Sequence, residues 1–83
     1  MIHRLKILPT FYQPVIEGRK TFEIRYNDRN FKANDFIILS EWIDGKYTGR
    51  FCAGIITDIY DVSFIMPDYV AFTFKLLGDF EEV

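Results

Sequence analysis

Short runs of alternating apolar and polar residues cover most of the chain, and this period of two is typical of β-strands. The runs predict five strands, over residues 2–8, 20–26, 35–43, 48–60 and 69–77. In the first, His3, Leu5 and Ile7 share one face, with basic residues on the other. A helical segment between the first two strands gives the order β-α-β-β-β-β.

The helical segment is expected to begin at Thr10, a residue type that caps helix N-termini, and to run to Glu17. Gly18 is expected to end it, since glycine adopts the left-handed conformation found after helices. Pro14 fits poorly inside a helix because it lacks a backbone donor. A helix that begins later, with Pro14 in its first turn, is the alternative.

The connections follow from turn-forming residues. Asn27 to Asn34 predicts a polar loop, Asp44-Gly45 a tight hairpin, and Asp61 to Asp68 a further connection. Gly54, inside the long fourth strand, predicts a bend or bulge that curls the sheet. The acidic tail from Gly78 to Val83 is expected to fray.

Size and composition indicate one domain spanning residues 1–83, because so short a chain has no room for two cores. The residues are 49% hydrophobic and 18% aromatic, far too apolar for a disordered segment. The predicted fold class is mainly β with one or two short helices (α+β). We expect a small barrel of about five strands, closed or nearly closed, with the helix plugging one end or lying across one side.

The single cysteine, Cys52, excludes an internal disulfide and any site with two or more cysteine ligands. It lies in an apolar run and is expected to be an inert core thiol rather than a reactive one. No run resembles a signal peptide or reaches membrane-spanning length, so we expect a soluble cytoplasmic protein with no membrane partner. The chain is consistent with a monomer or a dimer.

The charge is unevenly distributed. The whole chain carries −2, which argues against broad coating of a phosphate backbone. Residues 1–50 hold nine of the ten basic and six of the twelve acidic side chains, a net +3, and residues 51–83 carry −5. The first half therefore offers either a basic face or ordinary solvated charge.

The densest polar stretch runs from Gly18 to Arg25. Glu23 and Arg25 share one strand face, about 6–7 Å apart. Lys20 joins them only if it belongs to the turn, since strict alternation would place it on the face of Phe22. An acceptor, a planar donor and a point-charge donor around one volume suit a nucleobase edge. A structural salt bridge is the alternative.

Other polar groups have two interpretations each. Asn27-Asp28-Arg29 is either a turn held by Asx hydrogen bonds or part of a site, with the turn favoured. Tyr47 could stack on a base and Arg50 contact phosphate, although a loop aromatic is more often an edge plug of the core, as Trp42 is expected to be. His3 is expected to be a satisfied, half-buried side chain.

Motifs for known chemistry are missing. The sequence has no glycine-rich phosphate loop, no nucleophile elbow and no second histidine or cysteine for a metal. We therefore predict no cofactor and no metal site, and leave catalytic residues unassigned. If the protein is an enzyme, Lys20 and Glu23 are the candidates.

Residues 18–25 resemble the G-x-K-x-x-E-x-R signature of ASCH domains, the activating signal cointegrator homology group of the PUA-like superfamily, with Gly18, Lys20, Glu23 and Arg25 matching. The wider pattern resembles a small uncharacterised bacterial and phage branch of that group. It comprises His3-x-Leu5-Lys6-Ile7, Asn27-Asp28-Arg29 and Tyr47-Thr48-Gly49.

The resemblance implies a PUA-like pseudo-barrel with an RNA-associated ligand cleft lined by the signature. One ASCH branch hydrolyses the acetyl amide of N4-acetylcytidine with a Lys and a Thr of this motif and a distant Glu. Lys20 matches the Lys, whereas Glu23 stands at the Thr position, so that nucleophile is absent.

Three functions follow. The first is a module that binds RNA or a nucleotide-like ligand, the second a small amidohydrolase acting on a modified nucleoside, and the third a structural or protein-interaction domain whose polar trio is an internal network. The predicted ligand-binding residues are Lys6, Lys20, Glu23, Arg25, Arg29, Tyr47 and Arg50.

Overall fold

The computed structural model describes residues 1–82. It contains one α-helix and five β-strands in the predicted order. Their bounds are β1 Ile2–Ile7, α1 Pro9–Ile16, β2 Phe22–Tyr26, β3 Phe36–Ile43, β4 Lys46–Asp61 and β5 Tyr69–Glu81. The predicted fold class, mainly β with a short helix, is confirmed.

The five strands form one sheet in the order β1-β3-β4-β5-β2. β1 pairs parallel with β3, and the other pairs are antiparallel. The sheet curls into a half-barrel rather than closing, because no ladder within residues 1–82 joins β1 to β2. β1 and β2 are therefore the two open edges of the sheet.

The core lies on the concave side of the curled sheet. Alternate residues of β1, beginning with His3, face it, as the sequence predicted. Helix α1 lies across this side and buries Tyr12 and Val15 against the sheet. The apolar cluster comprises Leu5, Ile7, Tyr12, Val15, Phe31, Ile37, Leu39, Cys52, Ile56, Val70, Phe72 and Phe74.

The predicted hairpin and bulge are both present. Asp44 and Gly45 have φ of 54° and 79°, the left-handed values that a two-residue hairpin loop requires. At Gly54 the register of β4 against β5 shifts, so the strand bends there. A Cβ at this position would lie 3.1 Å from the carbonyl oxygen of Lys75, which explains why a glycine occupies it.

Counted from the predicted N-cap at Thr10, the helix begins two residues earlier than predicted, and it ends one residue earlier. Pro9 occupies its first turn, where a missing N–H costs nothing, and Leu8 takes the N-cap position expected for Thr10. Pro14 lies inside the helix, so the alternative of a later start is wrong. Gly18, at φ 76°, ends the helix as predicted.

The expectation of a frayed tail is wrong for residues 78–81. β5 continues to Glu81 because the sixteen-residue β4 provides a partner along this length, with Arg50 opposite Glu81. The rings of Phe51 and Phe80 stack at 5.4 Å and add a cross-strand contact. Val83 lies outside the described residues.

The connection from Asn27 to Asp35 is anchored to the core, although its sequence is mostly polar. The buried ring of Phe31 packs 4.7 Å from His3 and 5.1 Å from Phe72. His3 is buried rather than half-buried, and its Nε2–H donates to Asp35 Oδ2 at 2.7 Å. This hydrogen bond fixes the end of the connection against β1.

The buried thiol of Cys52 matches the expectation of an inert core residue. Burial raises its pKa to about 12, so little of the reactive thiolate exists at neutral pH. Within residues 1–82 no helix has the length and apolar character needed to cross a membrane.

Two isoleucines of β3 provide a matched test of the core. Ile37 is 0% exposed and Ile43 is 44% exposed. Ile37→Ala is expected to lower the free energy of unfolding by about 2–5 kcal/mol, since it removes buried methyl groups and leaves a cavity. Ile43→Ala should change it by less than about 0.5 kcal/mol. Urea denaturation measures both, and equal effects would contradict the assignment of the core face.

The Asp35 carboxylate should make stability depend on acid. The hydrogen bond from His3 lowers its pKa below the usual 3.8, assisted by the backbone N–H of Lys32 and opposed by burial. A lowered folded-state pKa gives stabilisation that is present above the unfolded value and lost as pH falls through the folded one. Asp35→Asn should therefore destabilise the protein at pH 7, and progressively less as the pH falls below 3.8 through the lower folded-state pKa. Urea denaturation across this pH range measures the difference in stability between the variant and the wild type. A difference that stays constant with pH would contradict the prediction.

Candidate ligand-binding cleft

A cleft of about 880 Å³ lies between the open edges of β1 and β2. Its walls come from the two edge strands, the start of α1, the 27–35 connection and the β3–β4 hairpin. The residues that line it are Arg4, Leu5, Lys6, Ile7, Leu8, Phe11, Lys20, Phe22, Glu23, Ile24, Arg25, Tyr26, Asp28, Arg29, Phe31, Tyr47 and Tyr69.

Unpaired backbone groups border this cleft. Thr21 O accepts from Phe74 N–H of β5, and Asn27 N–H donates to Asp68 O, just before β5. The odd-numbered residues of β2 therefore hydrogen-bond toward β5. The even-numbered ones, including Phe22, turn their backbone N–H and C=O outward. In β1, Met1 O accepts from Phe36 N–H of β3, so the odd-numbered residues hydrogen-bond toward β3. The backbone N–H and C=O of Lys6, an even-numbered residue, therefore point outward. Both outward rows face the cleft.

A three-residue ion network bridges the two edges. Lys20 Nζ donates to Glu23 Oε1 at 2.5 Å, and Arg25 Nε donates to Glu23 Oε2 at 2.8 Å. Arg25 Nη2 also donates to the backbone oxygen of Lys6 at 2.9 Å, and Lys20 Nζ to that of Phe22 at 2.7 Å. Side chains therefore join the two edges at a point where no backbone ladder does.

The helix end places Lys20 in this network. After Gly18 the N–H groups of Arg19 and Lys20 both donate to Pro14 O, which wraps the chain around the helix terminus. Lys20 thus precedes β2, and strand alternation does not fix its direction. This confirms the condition under which the sequence allowed Lys20 to join Glu23 and Arg25.

The burial of β2 is the reverse of its hydrophobicity. Glu23 is 5% exposed, whereas Phe22, Ile24 and Tyr26 are 48%, 47% and 51% exposed. A buried carboxylate needs paired charges and hydrogen bonds to offset its lost hydration, and here each oxygen accepts from a cation. The ion network therefore determines which face of the strand is inside.

The cleft is positively charged although the chain is negative. Its lining includes five basic residues and two acidic ones, Glu23 and Asp28, a net +3 against −2 for the whole chain. The ammonium of Lys6 lies 4.9 Å from the ring centre of Trp42. Within residues 1–82, the side chains of Arg4 and Arg29 have no hydrogen bond or ion pair.

Exposed aromatic rings accompany this charge. Phe11, Phe22, Tyr26 and Tyr47 line the cleft and are each about half exposed. Tyr47 is 60% exposed, so its interpretation as a plug of the core is wrong. The half-buried Trp42 beside it lies under the Lys6 ammonium. The arrangement combines cationic groups with flat apolar surfaces that planar ligands stack on.

Six of the seven predicted site residues meet at this cleft: Lys6, Lys20, Glu23, Arg25, Arg29 and Tyr47. Arg50 lies outside it. Its guanidinium packs 4.9 Å from the Tyr12 ring centre and donates to Gln13 Oε1 at 3.0 Å, with Glu41 at 3.7 Å. Asn27 Oδ1 accepts from Phe31 N–H at 3.1 Å, so an Asn27 side-chain hydrogen bond holds the loop, as favoured, but it spans four residues rather than the two of an Asx turn.

The sequence reasoning missed several residues of the lining, among them Arg4, Phe11, Tyr26 and Phe31. Each belongs to a different element, and no local spacing links them. One signal was available for Phe31, a single large apolar residue within a polar loop, because such a residue usually anchors its loop. Among residues 1–82, no three His, Cys, Asp or Glu side chains are grouped as metal ligands.

Comparison with known proteins shows the family of this chain. The family described as "Domain of unknown function (DUF3850)" matches residues 2–74. The chain belongs to the DUF3850 family. It is also 40% identical over 78 residues to the "Uncharacterized 12.9 kDa protein in GpA 3'region" of Escherichia phage P2, covering 94% of this chain and 71% of that protein. The relative agrees with the expected link to phages.

Glu23→Gln tests the network. The amide keeps the shape but removes the charge that both cations share, and its NH2 group faces one of them in place of an acceptor oxygen. We expect the free energy of unfolding to fall by about 1–3 kcal/mol, measured by urea denaturation.

Glu17→Gln is the matched control. Glu17 also pairs with an arginine, Arg19, but both side chains are exposed, so the stability should remain close to that of the wild type. Similar values for the two variants would show that the buried network is not a structural requirement of this DUF3850 domain.

Proposed function

We propose that the protein binds RNA or a nucleotide-like ligand in the cleft between β1 and β2. The observation that carries the proposal is the coincidence, in one concave site, of five basic side chains and several half-exposed aromatic rings. Proteins that bind single-stranded nucleic acid combine these same two elements, a positive groove for phosphate and rings for base stacking.

The ASCH-like signature supports the same site. Gly18 forms the turn, and Lys20, Glu23 and Arg25 form the network at the cleft, so all four signature residues act at one place. The proposal includes membership of the PUA-like group, whose RNA-associated role implies the same kind of ligand. The half-barrel architecture is compatible with that membership.

The ligand that fits is small. A cleft of about 880 Å³ lies in the range of sites for single small molecules and has room for one or two nucleotides. Beyond the cleft, the 51–83 half of the chain is acidic and would repel a long phosphate backbone. The proposed ligand is therefore a nucleotide, or a few nucleotides of an unpaired strand, rather than a duplex.

The contacts favour binding over hydrolysis. Both oxygens of Glu23 accept from cations, and Lys20 donates to two oxygens, so neither group stands free as a base or nucleophile. The amidohydrolase remains an untested prediction. The structural interpretation of the trio is compatible with binding, because an internal network also holds the walls of the cleft.

Amide NMR shifts of labelled protein, recorded during titration with a pool of short single-stranded RNAs at low and moderate salt, test the proposal. We expect shifts confined to residues 2–11, 18–31, the 42–48 hairpin and Tyr69, weaker at higher salt. Shifts spread evenly over the surface, or none at either salt concentration, would overturn it.

Tyr47→Ala should weaken RNA binding about 5- to 150-fold, equivalent to the ~1–3 kcal/mol of one stacked base. Tyr60→Ala is the control, since Tyr60 is 57% exposed against 60% for Tyr47 but does not line the cleft. Fluorescence anisotropy with a labelled RNA from the pool measures both affinities. An equal loss in the two variants would remove Tyr47 from the site.

A further inference from the structure

Unused hydrogen-bond donors remain at the network end of the cleft. Lys20 and Arg25 together reach four acceptor atoms: both carboxylate oxygens of Glu23 and the outward carbonyl oxygens of Lys6 and Phe22. Each of these oxygens accepts one hydrogen bond from the two cations. An ammonium has three N–H bonds and a guanidinium five, so one donor of Lys20 and three of Arg25 remain.

These remaining donors are close together and reachable. Lys20 and Arg25 bind the two oxygens of one carboxylate, which holds both cationic groups beside each other. Their side chains are 18% and 26% exposed, so both touch the cleft. Glu23 neutralises one of the two charges and leaves an excess of one at this point.

More positive charge is added where the network meets β1. Arg25 donates to the backbone oxygen of Lys6, a residue of the cleft lining whose ammonium lies over the Trp42 ring. An anion held by Lys20, Arg25 and Lys6 would meet a net charge of +2. The ligand group that matches it carries about two negative charges and several acceptor oxygens.

We propose that the cleft recognises a terminal phosphate monoester of a nucleotide, held by Lys20, Arg25 and Lys6, in preference to a nucleoside or an internal phosphodiester. A terminal phosphate carries about −1.5 to −2 charges at pH 7 and three strong acceptor oxygens, whereas an internal phosphodiester carries one charge. This inference rests on the proposed nucleotide-binding function and narrows its ligand class. Glu23 is the positioning residue that aligns the two donors.

NMR titration with defined pools tests the inference. The probes are the four nucleosides, their 5′- and 3′-monophosphates, and a tetranucleotide with either a 5′-hydroxyl or a 5′-phosphate. We expect the monophosphates to bind about tenfold or more tightly than the nucleosides. The two tetranucleotides show where the recognised phosphate comes from. Tighter binding of the one with a 5′-phosphate indicates an RNA end, and equal binding of the two indicates a free nucleotide.

The variants Lys6→Gln and Lys75→Gln complete the test. Both residues are exposed lysines on strands, but Lys75 does not line the cleft. Lys6→Gln should weaken monophosphate binding severalfold and leave nucleoside binding unchanged, and Lys75→Gln should alter neither. Equal affinity for nucleosides and monophosphates would overturn the phosphate preference and leave the proposed function intact. No binding by any pool would overturn both.

Discussion

The buried carboxylate of Glu23 is the group on which the arrangement of this molecule depends. It lies on the inner face of an edge strand, accepts from Lys20 and Arg25, and through Arg25 connects β2 to the backbone of β1. Without its two partners the carboxylate would be an uncompensated buried charge, a state that proteins avoid. The same contacts hold β2 with its polar face inward and keep the two sheet edges at a fixed separation.

A half-barrel of this size leaves a problem that a closed barrel would not have. Each open edge presents a row of unpaired N–H and C=O groups, which invite pairing with other chains. Here the two rows face each other across the cleft, and cationic side chains occupy part of each. The open edges thereby form the walls of the cleft instead of an exposed surface.

Two polar groups with similar composition have different roles because of where the fold places them. Around Glu23, the two cations line the cleft and keep unused donors. Around Glu41, which is also buried, Thr48 Oγ1 donates at 2.7 Å and Arg50 packs on Tyr12 under the helix, away from the cleft. The first group suits a ligand and the second supports the attachment of α1 to the sheet. Residue type alone does not separate them.

The sequence by itself determined the local structure: the five strands in order, the left-handed turn at Gly18, the hairpin at Asp44-Gly45 and the bend near Gly54. These features depend on side-chain alternation and backbone preference over a few residues, and so they can be predicted from local patterns. The helix start and the pairing of residues 78–81 were predicted wrongly because Pro9 and the length of β4 outweighed the local signals used.

Tertiary structure alone decided which residues share a site. Lys6, Arg29 and Tyr47 meet the network because the sheet curls until β1 and β2 face each other, whereas Arg50 is directed under the helix. The tertiary structure also decided that β2 buries a carboxylate and exposes Phe22, Ile24 and Tyr26. The physical reason is that burial is determined by partners across the fold, and the cations that make Glu23 tolerable inside come from a turn and from the strand itself, oriented by contacts distant in sequence.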